Sequence, residues 1–387
     1  MEKQKNIPQL RFPEFKGEWE SIKLGDYISI TSGNSPSLYD LSDEGIYPFL
    51  KVEELNNCDK YQINSRFYTN DSKNLIEENS IIFPKRGAAI LINKIRINAV
   101  PAQMDSNLMA IKPNNENLNH EFLFYVINKE KLYKIADTST IPQINNKHIE
   151  PYRFYIPKRD EQIKIATFFT SIDQKITQLK RKLTLLEQYK KGVMQKIFSQ
   201  EIRFKDDNGQ EFPKWEKRKI RELFRVTRGN VLATNNLKSE KEFAFCYPVY
   251  SSQTTNNGLL GYYNDYLFED CITWTTDGAN AGDVNYRKGK FYCTNVCGVL
   301  ESKEGYANQC IAEILNSIAK RHVAYVGNPK LMNNVMAGIE INIPASITEQ
   351  IKISNFLSAI DDKINHTQKQ VEKAEVWKKG LMQQMFV

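Results

Sequence analysis

No stretch of the 387 residues approaches the roughly 18 apolar positions that a membrane-crossing helix needs, so no membrane partner is expected. The opening Met1-Glu2-Lys3-Gln4-Lys5 lacks the apolar stretch of a secretory signal, and the expected location is the cytoplasm. Cysteine is sparse. Of Cys58, Cys246, Cys271, Cys293, Cys297 and Cys310, only Cys293 and Cys297 are close in sequence. A single C-x3-C without a second pair is a poor zinc signal, so reduced thiols and no metal are expected. The histidines His120, His148, His322 and His366 lie far apart, with no HxxxH spacing, and read as surface or packing residues. A phosphate-cradling loop is also missing, since Gly282 to Lys290 has the wrong spacing for one.

What is present is a modest positive charge, unevenly placed. The net formal charge is +7, which hints at an anionic partner. Residues 158–203 carry eleven Lys/Arg against five Asp/Glu, and so hold most of the excess. That excess can lie along a DNA axis or face an acidic partner, and the sequence leaves both open. Elsewhere the charge is locally clustered, as in Lys85-Arg86 and the run Lys217-Arg218-Lys219-Arg221-Arg225-Arg228.

The chain is written twice. Glu161–Ile165 recurs as Glu349–Ile353, and the match continues through Phe168, Ile172-Asp173 and Lys175-Ile176 against Phe356, Ile360-Asp361 and Lys363-Ile364. It resumes at Lys190-Lys191-Gly192, Met194-Gln195 and Phe198, against Lys378-Lys379-Gly380, Met382-Gln383 and Phe386, always 188 residues apart. Pro142, Asn146 and Ile156-Pro157 answer to Pro329, Asn333 and Ile343-Pro344 at 187. Trp19-Glu20, Thr31 and Gly33-Asn34 answer to Trp215-Glu216, Thr227 and Gly229-Asn230 at 196. Between these anchors the halves diverge almost completely.

The shared blocks read as helices. Ile165, Phe168/Phe169, Ile172, Ile176, Leu179, Leu183, Leu186, Val193 and Ile197 alternate steps of three and four, broken only at Lys190. Ile353, Ile360, Ile364, Val371, Ala374, Leu381 and Met385 repeat the pattern, broken at Lys378. That is the seam of a coiled coil. The variable blocks hold short β-branched and aromatic runs, such as Ser80–Phe83, Cys271–Thr275 and Phe291–Thr294, punctuated by Gly, Asn and Asp. One helix is expected from Glu121 to Ala136, with a counterpart near Ala307 to Ala319. The expected fold is α+β. Two mainly β domains with short helices are separated by two long antiparallel coiled-coil helices, in a pseudo-twofold internal repeat.

At this point the sequence resembles the specificity (S) subunit of type I restriction–modification enzymes. The resemblance rests on Arg11-Phe12-Pro13-Glu14-Phe15 with Trp19, on Thr140-Ile141-Pro142-Gln143-Ile144-Asn145 and on Thr273–Gly282. The two helices that open on Glu-Gln-Ile-Lys-Ile and end in Lys-Lys-Gly-x-Met-Gln complete it, so it covers essentially the whole chain. It implies target-recognition domains at residues 1–145 and 204–332, and conserved helical spacers at 146–203 and 333–387. It also implies that each head reads one half of a bipartite, asymmetric site in double-stranded DNA, with the helices acting as a ruler. Two modification subunits would carry S-adenosylmethionine and methylate adenine, and two restriction subunits would add ATP- and Mg-dependent translocation and cleavage. The chain itself would hold no cofactor and no catalytic residue. Consistent with this, it has no Asn/Asp-Pro-Pro-aromatic motif of an amino-methyltransferase. The competing readings are a stand-alone DNA-modifying enzyme with duplicated DNA-binding domains and a two-headed protein adaptor.

Direct readout needs side chains that reach base edges, while most other contacts go to phosphates. In the first head the candidates are Lys85, Arg86 and Gly87, a basic pair between a strand and a glycine, whose alternative is a solvated strand end. In the second, Thr276, Asp277, Gly278 and Asn280 hold the matching place and carry no arginine, and their alternative is a tight loop. Asn34, Asn230 and Arg228 are further DNA-binding candidates, although the repeated Gly33 and Gly229 beside the two asparagines read first as a required turn. Ile176, Leu179, Leu183, Leu186, Ile364, Val371 and Leu381 are the candidates for helix packing and partner docking. Glu161-x-x-Lys164 resembles a fragment of a nuclease pattern, but its repetition at Glu349 and Lys352 on an amphipathic helix favours a structural role.

Overall fold

The computed structural model describes residues 6–114, 116–138, 141–253 and 256–387. Met1–Lys5 and Thr140, which figured in the sequence reading, lie outside the described residues. The chain divides into two compact units, Met1–Lys180 with Lys369–Val387, and Arg181–Gln368.

In the first unit a five-stranded sheet has the order β1 (Ile28–Ser32), β5 (Leu108–Pro113), β3 (Ile81–Pro84), β4 (Arg96–Asn98), β2 (Tyr61–Gln62). All its pairings are antiparallel except β4 with β2. The central strand β3 is buried at every position. This is why Ile81-Ile82-Phe83 is an uninterrupted apolar run rather than an alternating one. A smaller sheet joins Tyr47–Leu50 to Tyr68–Thr69 and Gln103–Met104, and Glu20–Lys23 pairs with Arg153–Ile156 in a separate ribbon. Helix α1 (His120–Glu130) starts where the Asn119 side chain accepts a hydrogen bond from the Phe122 N–H at 2.9 Å. Such a side chain satisfies one of the orphan donors of a helix N-terminus. Phe122, Leu123 and Tyr125 then enter the same core as Ile81, Phe83, Ile97 and Met109.

The second unit repeats the plan with a larger sheet. Its order is β6 (Arg225–Arg228), β11 (Cys297–Glu301), β9 (Phe268–Thr275), β10 (Val284–Cys293), β7 (Tyr247–Tyr250), β8 (Leu259–Tyr263). Helix α3 (Gln309–Ala319) is capped by Asn308, which accepts from the Ile311 N–H. Glu216–Lys219 pairs with Glu340–Ile343, as the equivalent ribbon does in the first unit.

The two long helices are α2 (Arg159–Phe198) and α4 (Ile347–Met385). At about 1.5 Å per residue, the 40 residues of α2 span about 60 Å. In the first unit Ile165, Phe169, Ile172 and Ile176 of α2 share a core with Leu381 and Met385 of α4. In the second, Ile197 of α2 meets Ile353 and Leu357 of α4, so the helices run antiparallel within each unit. Leu179, Leu183, Leu186 and Ile364 are only half-buried. A two-helix seam covers one side of a residue, and full burial comes where a head packs on top.

The repeated start of each helix clamps the N-terminal arm of its head. Glu161 is 1% exposed and receives both Nε and Nη2 of Arg11 at 2.7 Å. Glu349, equally buried, accepts from Arg203 at 3.0 Å and from Trp215 Nε1 at 3.3 Å. Lys164 pairs with Glu14 at 2.9 Å, and Lys352 with Asp207 at 2.7 Å. Gln162 and Gln350 donate to the Pro157 and Pro344 carbonyls that precede their helices. The Glu-x-x-Lys pattern is therefore a clasp between arm and helix.

Candidate nucleic-acid interface

In the first head, β1 is followed by Gly33, where an added Cβ would lie 2.0 Å from the Asp105 carbonyl oxygen. The requirement here is close backbone approach, rather than the turn that the sequence suggested. Gly33 N–H donates to Leu108 O and Asn34 N–H to Met104 O. The Asn34 side chain donates to the Tyr39 hydroxyl at 3.0 Å, which in turn donates to Gln103. Just beyond β3, Lys85 N–H donates to Asn107 O, Ile144 N–H to Lys85 O and Gly87 N–H to Pro142 O. Arg86 thus faces Gln143 across an antiparallel bridge, with an exposed side chain. Gly87 has φ +83° and open space where a Cβ would be, so it is a turn glycine. Partial burial and the neighbouring Arg86 hold the Lys85 ammonium below its usual pKa, against the pull of Asp105. Asn34, Lys85 and Arg86, distant in sequence, are thus gathered around the turn Asp105–Leu108.

The second head builds the same frame bond for bond. A Cβ on Gly229 would lie 2.2 Å from the Cys293 carbonyl oxygen. Gly229 N–H donates to Cys297 O and Asn230 N–H to Cys293 O. Thr276 N–H donates to Val296 O, Leu331 N–H to Thr276 O and Gly278 N–H to Pro329 O. Asp277 faces Lys330 across the bridge, and Gly278 has φ +92°. The side chains differ. Where the first head has Arg86, the second has the Asp277 carboxylate, with Arg228 Nη2 and Lys330 Nζ each 3.8 Å from it.

The structure corrects parts of the sequence reading. Thr276 is fully buried, with its hydroxyl 3.0 Å from Val296 O and 2.6 Å from Asp277, so it cannot reach a base. Asn280 is half-buried, donates to Ser252 O and lines a polar cavity of about 280 Å³. Much of the basic run is paired internally: Lys217 with Glu340, Arg218 with Glu216 and Glu222, Arg225 with Glu301. Ile176, Val371 and Leu381 are buried inside their own unit and offer nothing to another chain. Gln143 and Lys330 were missed as site residues, although the Pro142/Pro329 offset already marked both positions. Burial pushes the Cys271 and Cys297 thiols up to about 11, the state of packed rather than reactive sulfur. Among the described residues no group of His, Cys, Asp or Glu could hold a metal ion, and no helix is long and apolar enough to cross a membrane.

Polar and basic side chains at strand ends, of which Arg86, Arg228, Asn230 and Lys330 are exposed, are chemically able to meet a groove or a phosphate. The family described as type I restriction modification DNA specificity domain matches twice, over residues 16–188 and 213–375. A type I specificity subunit of Mycoplasma pneumoniae is 37% identical over 155 residues, which is 39% of this chain and 49% of that protein. The match thus spans about half the length of that curated relative. A type I restriction enzyme specificity subunit of Methanocaldococcus jannaschii is 23% identical over 98% of this chain and 95% of its own. Among solved structures, the type I restriction–modification S subunit from M. genitalium superimposes with a TM-score of 0.70 at 17% identity, covering 98% of this chain and 99% of that one. At that identity the likeness is one of fold. With the DNA specificity domain matched in each of its two repeats, this chain belongs to the type I restriction–modification specificity family.

Proposed function

We propose that this chain is the DNA-reading subunit of a type I restriction–modification complex, in which each head reads one half of a bipartite, asymmetric site. The observation that carries this is the frame shared by Lys85-Arg86-Gly87 and Thr276-Asp277-Gly278. The same main-chain bonds are built in both heads and carry different side chains. Phosphate contacts position a protein on DNA and side chains at base edges specify the sequence. A repeated frame with unlike side chains is what two unlike half-sites call for. Arg86, Lys85, Asn34 and Gln143 serve the first half-site, and Arg228, Lys330, Asp277 and Asn230 the second.

The shared helices α2 and α4 set the spacer and dock two copies of a modification subunit, to which restriction subunits add. S-adenosylmethionine, ATP and Mg belong to those partners, and the chain is not catalytic by itself. Methylome sequencing of a host with and without the gene tests the reading. A single split adenine-methylated motif should vanish with the gene. An unchanged methylome in a host that expresses the intact complex would reject it.

A further inference from the structure

Arg287 of β10 is 9% exposed, and among the described residues no carboxylate lies within ion-pair distance of it. Its Nε donates to the Thr273 hydroxyl at 3.1 Å and its Nη2 to the Asn257 carbonyl at 2.8 Å, both uncharged acceptors. The guanidinium lies over the Tyr250 ring, 3.7 Å from the centroid. Burial holds its pKa below the ordinary value, and the ionisable groups that act on it are the Tyr250 phenol and the Cys297 and Cys293 thiols. A buried cation is costly unless an anion compensates it. The two bonds use only part of a fork of five N–H donors.

The fold does not require this cation. Thr276 takes the place of Lys85 in the shared frame, so Thr273 stands where the first head has Ile82. The pairings of Ile272 with Tyr286 and of Ile81 with Ile97 then put Arg287 at the place of Asn98. In the first head that place is dry and neutral. Ile82 packs with Leu50, Leu55 and Met104. Asn98 is fully buried, donates to the Glu77 and Val100 carbonyls and accepts from the Ser80 N–H. In the second head Arg287 instead lines the polar cavity of about 280 Å³. Asn316 of α3 lines it as well, and the Val284 N–H donates to its Oδ1 at 3.0 Å, which commits the oxygen and leaves the NH2 to donate. Ser251 and Asn285 add further neutral donors. Asp283 on the wall is already paired with Lys320 at 2.7 Å.

We propose that this cavity is an oxyanion site of the second head, taking a phosphate group on Arg287 and the amide and hydroxyl donors around it. Water there would hydrate the guanidinium without neutralising it. A single cation ringed by uncharged donors suits a tetrahedral anion with several acceptor oxygens. The phosphate group has two sources, free inorganic phosphate or a diester of a DNA backbone. Occupancy braces the strand end from which Asp277 leaves, because Thr275 and Asn280 line the same cavity. Binding of free phosphate does not rest on the DNA-reading proposal and would survive its failure.

Calorimetric titration of the full chain with inorganic phosphate, against chloride at constant ionic strength, tests the site. Wild type should bind one phosphate, and Arg287→Gln should bind it at least about tenfold more weakly. Melting curves would not serve, since phosphate stabilises folded proteins in general by exclusion from their surface. Arg287 also ties down Asn257, so a second variant keeps that tie intact. Asn316→Asp retains an oxygen for the Val284 N–H and adds negative charge to the wall; it should abolish phosphate binding with an unchanged circular dichroism spectrum. A duplex arm separates the sources. Phosphate that weakens duplex binding by wild type, but not by Arg287→Gln, would place a DNA diester in the cavity, and phosphate bound without such competition would be the free anion. Wild-type phosphate affinity in both folded variants would overturn the proposal. So would a wild type that neither binds phosphate nor shows the competition, which would leave Arg287 as a tie for its loop.

Discussion

Between Lys85 and Ile144 in the first head, and between Thr276 and Leu331 in the second, one set of main-chain hydrogen bonds is drawn twice. The side chains on that frame carry opposite charge, Arg86 in one and Asp277 in the other. Main-chain bonds do not depend on side-chain identity, so the frame persists while its outward residues vary. The exception is glycine. Gly33 and Gly229 lie where any Cβ would collide with a carbonyl oxygen, which is why they recur while their neighbours diverge. The comparison separates what holds the proposed reading surface from the side chains that would read.

The largest effect should come from breaking the clasp that the heads share. Glu161→Ala and Glu349→Ala each remove a buried carboxylate and strand an arginine, a loss of about 3–5 kcal/mol for a buried pair. Both should lower the urea midpoint strongly, and a wild-type midpoint in either would deny the clasp its role. The two sites are not identical. Glu349 also accepts from Trp215 Nε1, whereas the Trp19 Nε1, buried in the first unit, has no hydrogen-bond partner.

A smaller and more selective effect is expected at the reading positions. Arg86→Ala should relax recognition at one half-site by about 1–3 kcal/mol if the guanidinium is bidentate to a base. Asp277→Ala should do the reverse in the other head. It releases Arg228 and Lys330, and should raise affinity for any duplex while steepening the salt dependence. Binding isotherms on duplexes mutated in one half-site, taken at several salt concentrations, separate the two. Identical responses to both substitutions would mean that the charge difference between heads is not used in reading.

The outline of this molecule was legible because a fixed offset between repeats survives any amount of local ambiguity. Helix α2 starts two residues before the repeated Glu161 and ends at the repeated Phe198, α4 starts two before Glu349 and ends one before Phe386, and the match of Arg86 to Asp277 followed from position alone. Inward and outward facing at strand ends was not legible. Thr276 leaves β9 at a point where alternation no longer applies, and its burial is decided by Val296, twenty residues on. Nor could sequence reveal that Arg228 is engaged by Asp277, since that contact joins separate elements. The small sheet of the first head contains two-residue strands such as Tyr68–Thr69, too short to carry a period.

A third difference between the heads is acid sensitivity. His120 begins α1, and its counterpart at the start of α3 is Gln309. Burial, with Lys60, Lys112 and Arg159 nearby, lowers the His120 pKa from 6.5 to about 4. Between those values the unfolded chain binds the proton and the folded chain does not. Stability from this group is therefore full above about pH 6.5 and is lost as pH falls toward 4. Solvent access reduces the effect to about 1–2 kcal/mol. His120→Gln, which copies the second head, should flatten the pH dependence of unfolding in that window. An unchanged slope would show that the imidazole is not held neutral.

The smallest effect should distinguish the two lysines that interrupt the helix seams. Lys378 pairs with Asp173 in the first unit and Lys190 with Asp361 in the second, reciprocal contacts between positions 188 residues apart. The surroundings are unequal. Asp173 also accepts the Tyr125 hydroxyl at 2.7 Å, while Lys190 has a second carboxylate, Glu313, at 2.6 Å. Asp173→Asn leaves Lys378 without its anion and should cost about 1 kcal/mol, the upper end for a half-exposed pair. Asp361→Asn leaves Lys190 still paired with Glu313, so its cost should be no more than about half of that. Denaturant unfolding of the two variants, with Trp19 and Trp377 reporting the first unit and Trp215 and Trp274 the second, measures each locally. Equal losses would mean that Glu313 does not stand in for Asp361, and that the two seams are locked in the same way after all.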